Sequence, residues 1–301
     1  MTRKRPALTV AARRALWGWV FVLPALIYFA LFSFYPILNA FWLGLHSKNV
    51  LSLRPPRFVG LRNYLDLAGS ATFWNSWKAT GLFTLSTAVP LVVLSLLLAW
   101  LIFSRLRLQR FFQMAFYAPA VIPGVVAAAV WLLLLDPRGI ANQWVNFVLG
   151  TPGVDHHWLA NPDMVRLSTS LVYLWGKLGF FTIIFIAGLG AIPRSVKEAA
   201  TVDGATGLQL FRYITLPLLK PTTLLVSIMA MIFCMRTFAT QYLFTRAGAP
   251  LEPINVVTLG IYNTGIRDFQ IGLASAMSIV LLLVMFVLAM VQFRLGGTRD
   301  A

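Results

Sequence analysis

Residues 198–217 read Glu198-Ala199-Ala200-Thr201-Val202-Asp203-Gly204-Ala205-Thr206-Gly207-Leu208-Gln209-Leu210-Phe211-Arg212-Tyr213-Ile214-Thr215-Leu216-Pro217. This is the one long charged, amphipathic stretch in the second half of a very apolar chain, and it lies between two hydrophobic runs. A tight turn would be enough to join two helices, so a polar connection of this length is expected to do more than connect them. Just before it, Pro193 ends a hydrophobic run, and Ser195-Val196-Lys197-Glu198 has the pattern of a capping box, with a short helix expected over 196–203. Gly204 suits the left-handed stop of that helix. Thr206 is placed to cap a second short helix carrying Leu208, Leu210, Phe211 and Ile214, and Leu216-Pro217 is expected to end it. The predicted shape is a helix-turn-helix elbow at 193–217.

The runs on either side of the elbow belong to a membrane protein. The 301 residues are 59% hydrophobic and 11% charged, with a mean hydropathy of +0.78, whereas a soluble domain carries about a quarter charged residues. Six apolar runs are long enough to cross a bilayer: about 17–45, 79–103, 112–135, 167–192, 218–244 and 270–293. The first is too long for a signal h-region and lacks a small-x-small cleavage site, so it reads as a retained span. Pro24 and Pro36 lie in the first run, and Pro119, Pro123 and Gly124 break the third near its start. A short interfacial helix is expected over 61–67, with Phe73, Trp74 and Trp77 as headgroup anchors, and at most one short helix in the segment 136–166, over 141–149. No long repeat or low-complexity segment interrupts the chain, which reads as one transmembrane domain over 1–301.

The formal charge of +16 is organised by topology. Fourteen of the 25 Lys and Arg fall in the tail 1–14, at 105–110, at 194–220 and in the C-terminal tail; nine fall in the longer segments on the opposite side; Lys177 and Arg236 lie within spans. Basic density therefore places both termini and the elbow in the cytoplasm. Clustering at span ends, rather than on a soluble face with stacking aromatics, speaks against nucleic-acid binding. Cys234 is the single cysteine and sits in a span, so no disulfide framework or cysteine-rich metal site is expected. His46, His156 and His157 fall in connecting segments without metal-ligand spacing and are expected at the surface.

At this point the elbow could still be an amphipathic connector without a partner. Its spacing, however, closely resembles the EAA loop of the permease subunits of binding-protein-dependent ABC importers: Glu198-Ala199-Ala200, then Gly204, then Ile214, Leu216 and Pro217. Phe21-Val22-Leu23-Pro24, Tyr35-Pro36, Val59 to Tyr64, Asp136-Pro137 with Gly139 and Asn142, and Ile192-Pro193 are similar to the sugar-importer branch with maltose-type and glycerol-3-phosphate-type permeases. The end Val291-Gln292-Phe293-Arg294, without the glycine-rich tail of a second permease, resembles the first permease of a heterodimer.

The resemblance implies a six-helix, all-α type I importer fold in a bacterial cytoplasmic membrane, as one subunit of a machine. Its expected partners are a second permease, two cytoplasmic ATPase copies, an extracytoplasmic solute-binding protein and membrane lipid. ATP and Mg would be bound by the ATPases and no cofactor by this chain, which has no G-x-x-x-x-G-K-[ST] stretch. Glu198 would make polar contact with an ATPase, Ala199 and Ala200 would allow close approach, Asp203 belongs to the same motif, and Gly204 would supply the turn. The resemblance also places sugar contacts on the spans before and after the elbow, near Tyr173, Trp175, Gly176, Lys177 and Phe180, and near Phe233, Cys234, Arg236, Thr237 and Gln241. Aromatics suit sugar stacking, and two cations suit an anionic substituent. Plainer roles are open for the same residues: snorkelling for Lys177, an ion pair with the partner permease for Arg236, bundle packing for Trp175 and Phe233. A self-sufficient secondary transporter or channel would need intramembrane acids for ion coupling, and all nine Asp and Glu lie outside the expected mid-span positions. A membrane-embedded enzyme would need clustered acid-base or nucleophilic groups, which the sequence does not group.

Overall fold

The computed structural model describes residues 10–52, 54–105 and 109–296. The basic residues expected at 3–5, and those at 107 and 299, lie outside the described residues. Within lipid every backbone amide must find an internal partner, which is why apolar runs of this length become helices. Five helical stretches are long and apolar enough to cross a membrane: Arg14–Gly44, Ala71–Phe103, Pro162–Ala191, Lys220–Arg246 and Ile271–Gly296. The expected third span is instead a bent pair, Gln109–Val121 and Gly124–Leu134, meeting at 96°. Pro123 cannot donate a backbone hydrogen bond and becomes the cap of the second half, so the break expected from Pro119, Pro123 and Gly124 turns the chain rather than kinking it.

Proline also shapes two other helices, by a different route. Pro36 follows a π-helical turn at Ala30–Phe34, and Pro217 follows one at Leu210–Thr215. A widened turn relieves the clash between the proline ring and the preceding carbonyl. The helix therefore continues through both prolines. Leu216-Pro217 does not end the second arm of the elbow, as expected from the sequence; the only break before the next long helix, Lys220–Met235, is the single turn residue Leu219.

Several boundaries move outward. The first helix begins at Val10, inside the expected tail 1–14. The second span begins at Ala71 rather than 79, so Phe73, Trp74 and Trp77 are helical; Trp74 Nε1 donates to the Ala68 carbonyl at 2.8 Å. The connecting helices are Arg62–Ala68 and Ile140–Leu149, close to expectation. A two-residue antiparallel pairing, His46–Ser47 with Arg57–Phe58, closes the first connection. Residues 245–269 are more ordered than a plain external connection. They form Leu251–Ile254, Val257–Tyr262 and a π-turn at Asn263–Arg267, because Ile254, Val256, Val257 and Leu259 bury their side chains. The Val257 amide donates to Thr80 Oγ1 at 2.9 Å.

The core lies between the second, fourth and fifth spans. Phe83, Leu91, Phe181, Phe185, Leu189, Val226, Ala230 and the free thiol of Cys234 form one buried cluster. The first span is peripheral: none of its most apolar window is buried, and only its last turns press on the sixth span, where a Cβ on Gly44 would stand 3.5 Å from Ala276 Cα. Two of the histidines expected at the surface are half-buried and bonded. His46 stacks on Trp42 at 3.9 Å, and His156 Nε2 hydrogen-bonds Asn146 Oδ1 at 2.8 Å.

Candidate coupling elbow and transport cavity

The elbow's first arm is Arg194–Val202, with Pro193 as its cap and no side-chain capping bond. Starting at Arg194 puts Ser195 inside the first turn, so the expected Ser195–Glu198 capping box does not form. Glu198 is exposed and has no hydrogen bond or ion pair among the described residues. The arm ends in a Schellman pattern: the Ala205 amide donates to the Ala200 carbonyl at 2.9 Å and the Gly204 amide to the Thr201 carbonyl at 3.1 Å, with Gly204 at φ +87. A Cβ at Gly204 would touch nothing within 4 Å, so the glycine is required by backbone conformation and not by space. The second arm starts with the Thr206 amide and hydroxyl both donating to Gln209 Oε1 at 3.1 Å.

Both arms are fastened to the same end of the second span. Lys197 Nζ lies 5.0 Å from the centre of the Phe103 ring and 3.5 Å from the Leu189 carbonyl of the fourth span. Phe211 packs its ring 4.7 Å from that of Trp100. Burial, then the neighbouring Arg194, lowers the Lys197 pKa from its ordinary value. Ala200 is buried and Ala199 exposed; Ile214 is half-buried, while Asp203, Leu216 and Pro217 are exposed. Val202, Leu208 and Tyr213 are 87%, 72% and 67% exposed, an apolar face that this chain alone leaves uncovered.

The second feature is a cavity of about 300 Å³ at the junction of the bent third span, the fourth span and the break in the fifth. Tyr173, Gly176 and Lys177 face it from the fourth span, Arg236 and Thr237 from the break, and Pro119 and Gly124 from the bend. The third and fourth spans touch where a Cβ on Gly179 would fall 1.9 Å from the Phe116 carbonyl oxygen. The Tyr173 hydroxyl donates to the Phe233 carbonyl at 2.7 Å, fixing the fourth span to the last turns of Lys220–Met235. The break then runs through Arg236 to Phe238, and helix resumes at Ala239–Arg246. The Thr258 hydroxyl donates to the Thr237 carbonyl, and the Thr237 hydroxyl to Gln241 Oε1 at 2.9 Å.

No acidic residue lines the cavity. The three ion pairs among the described residues lie elsewhere, at Arg62–Asp66, His157–Asp155 and Arg166–Asp163. Two half-helices, Gly124–Leu134 and Ala239–Arg246, begin on the cavity wall, and the amides of a first helical turn have no partner within their own helix. Two cations and two positive helix ends therefore converge on one space.

Residues 79–296 match the family described as binding-protein-dependent transport system inner membrane component. The chain belongs to this family. The trehalose/maltose transport system permease protein of Thermococcus litoralis is 30% identical over 289 residues, covering 95% of this chain and 96% of that relative. The sn-glycerol-3-phosphate transport system permease protein of Agrobacterium fabrum is 28% identical over 282 residues, covering 93% and 94%. The fold is shared with a chain of the crystal structure of a bacterial alginate ABC transporter in complex with alginate pentasaccharide-bound periplasmic protein, at a TM-score of 0.81 and 20% identity, over 97% of this chain and 98% of that one. The family is one of multi-pass transport subunits, not of catalysts.

In this permease Cys234 is buried in the main core, and the other residues singled out on the fourth and fifth spans divide into two groups. Tyr173, Gly176, Lys177, Arg236 and Thr237 meet on the cavity. Trp175 does not line it; its ring lies edge-on to Trp131 at 5.7 Å. Phe180 and Phe233 stack at 5.9 Å and pack against the main core. Gln241 is fully buried beside a different crevice, with Nε2 unpaired. Packing thus accounts for these four. Gly124, Phe238 and Thr240 also line the cavity and were not legible as site residues. Pro119, Pro123 and Gly124, read as a break in the third span, were the sequence signal that it would bend into this space.

Proposed function

We propose that this chain is the permease subunit of a binding-protein-dependent ABC importer that carries a carbohydrate or sugar derivative, including anionic ones. The observation that carries the solute class is the cavity, in which Lys177 and Arg236 face one space without an acid to neutralise them. Unpaired charge within a span is costly, and a solute group of opposite sign offsets that cost. The relatives' systems, for trehalose/maltose and for sn-glycerol-3-phosphate transport, bracket a neutral and an anionic solute.

The elbow is the ATPase-coupling segment in this reading. Two cytoplasmic ATPase copies hold ATP and Mg, and one of them covers the apolar face of Val202, Leu208 and Tyr213, with Glu198 free to make a polar contact. A second permease completes the transmembrane pathway, and an extracytoplasmic binding protein delivers the solute. The whole chain 1–301 acts as one transmembrane unit in a cytoplasmic membrane, with both termini and the elbow on the ATPase side. The chain itself hydrolyses nothing.

The test is uptake into proteoliposomes holding the assembled transporter, with Arg236→Ala set against the parent. Uptake of glycerol-3-phosphate or a uronic-acid disaccharide should fall about tenfold more than uptake of maltose, a difference of about 1.4 kcal/mol. Equal losses for charged and neutral solutes would remove the anionic reading and leave the neutral-sugar permease.

A further inference from the structure

Beyond the cavity, the fifth span continues as the helix Ala239–Arg246, capped by Phe238, with Tyr242 and Arg246 following at four-residue intervals. That spacing puts them along one face over about 12 Å, at 1.5 Å per residue. Phe238 is shared: it lines the cavity and stacks on Tyr242 with ring centres 5.2 Å apart and planes at 19°. Tyr262, from the helix Val257–Tyr262, joins them at 5.4 Å from Phe238 and 5.1 Å from Tyr242. All three rings are only half-buried.

Cations edge this cluster. The Arg246 guanidinium lies 5.8 Å from the Tyr242 ring centre. Arg267, at the end of the π-turn that follows Tyr262, is exposed. The Tyr262 hydroxyl has its pKa raised, chiefly by its hydrogen bond to Tyr242, while Arg246 and Arg267 pull it the other way. Asp268 and Glu252 are the nearby acids in sequence, and neither forms an ion pair with Arg246 or Arg267 among the described residues.

Flat aromatic faces take the C–H face of a sugar ring, and guanidinium forks take carboxylate or phosphate. A plain lipid-facing surface would not carry two arginines without acid partners beside three partly exposed rings, two of them phenols. We propose that Phe238, Tyr242 and Tyr262, flanked by Arg246 and Arg267, form an entry subsite that stacks on a negatively charged saccharide and passes it, through Phe238, to the cavity of Lys177 and Arg236. The subsite rests on the permease reading above, and it explains what the cavity alone does not: the cavity's own aromatic lining is limited to Tyr173 and Phe238, so ring recognition falls largely to this ladder.

The experiment titrates the assembled transporter in nanodiscs, without binding protein, with a uronic-acid disaccharide and with its methyl ester. The parent should bind the free acid about tenfold more tightly than the ester. The double variant R246Q/R267Q should lose most of that discrimination, keeping only what Lys177 and Arg236 supply, while still binding the ester. Y242A/Y262A should weaken acid and ester alike, and Y242F/Y262F, which keeps the rings, should bind as the parent does. Equal binding of acid and ester by the parent would overturn the proposal without recourse to any variant, so a misassembled variant cannot shelter it. Discrimination in R246Q/R267Q equal to the parent's would overturn it as well. The parent's uptake assay separates the two levels: no ATP-driven uptake of any sugar defeats the permease reading itself, whereas uptake retained with the subsite variants binding normally defeats only the entry subsite.

Discussion

The elbow and the cavity are built in opposite ways. The elbow is local: its turn, its Schellman bonds and its left-handed glycine all lie within 193–217, and the long-range contacts Lys197 on Phe103 and Phe211 on Trp100 fasten it to the span end. The cavity is assembled from residues between Pro119 and Thr240, on helices that meet only because two of them break and a glycine lets a third approach. A local device transmits its shape to its neighbours. A convergent one depends on every neighbour being in place.

That contrast predicts where substitutions act. The largest effect is expected at Gly179, where a leucine side chain would start 1.9 Å from a backbone oxygen that has no flexible end to yield. Gly179→Leu should cost ~3 kcal/mol or more, read as a loss of folded yield and of thermal stability in detergent. A parent-like melting temperature would mean that the third and fourth spans do not depend on this contact, and that the cavity is less convergent than described. Gly204→Val should leave insertion and folded yield nearly intact, because space is free and only the φ of +87 is penalised, at about 1–2 kcal/mol. Its effect should fall instead on coupling, abolishing the solute-stimulated ATPase activity of the assembled transporter. Stimulation equal to the parent's would break the assignment of the elbow as the coupling segment.

The smallest effect is expected at Lys197. Its folded pKa is lowered, so the folded state holds its proton less tightly than the unfolded chain, and the parent should gain stability as pH rises through the depressed value. Lys197→Met removes that titration. The difference in melting temperature between parent and variant should therefore shift in the parent's favour as pH rises from neutrality toward the ordinary lysine pKa of about 10.4. A difference flat across that range would show that Lys197 is not held against the span ends in solution.

How far each region could be read in advance follows from the same distinction. Glu198-Ala199-Ala200 and Gly204 were legible because a turn is specified by a few adjacent residues. Even there one detail was wrong: Ser195 and Glu198 have capping-box spacing, but Pro193 starts the helix earlier and draws Ser195 into the first turn. The role of Pro217 was misread for a related reason. Proline ends an ideal helix, whereas the π-turn at Leu210–Thr215 gives its ring room, and nothing in the residue types distinguishes a π-turn from the α-helix around it. On the fourth span, Tyr173, Trp175, Lys177 and Phe180 were equal candidates. Which of them faces the cavity depends on the rotation of the helix against its neighbours, and the close approach at Gly179 decides that.

The sequence by itself determined the membrane class, the number of long apolar runs, the elbow and its left-handed glycine, and the family resemblance. These follow from hydropathy over about 20 residues and from spacing within one turn, both of which act through neighbours along the chain. Only the tertiary structure decided that the third run bends by 96°, that Lys177 and Arg236 share one acid-free space, that Trp175, Phe180, Phe233 and Gln241 do not line it, and that Phe238, Tyr242 and Tyr262 form a ladder leading out of it. Those features are relations between helices far apart in sequence. They are set by how closely backbones can pack and where broken helices leave their first amides free.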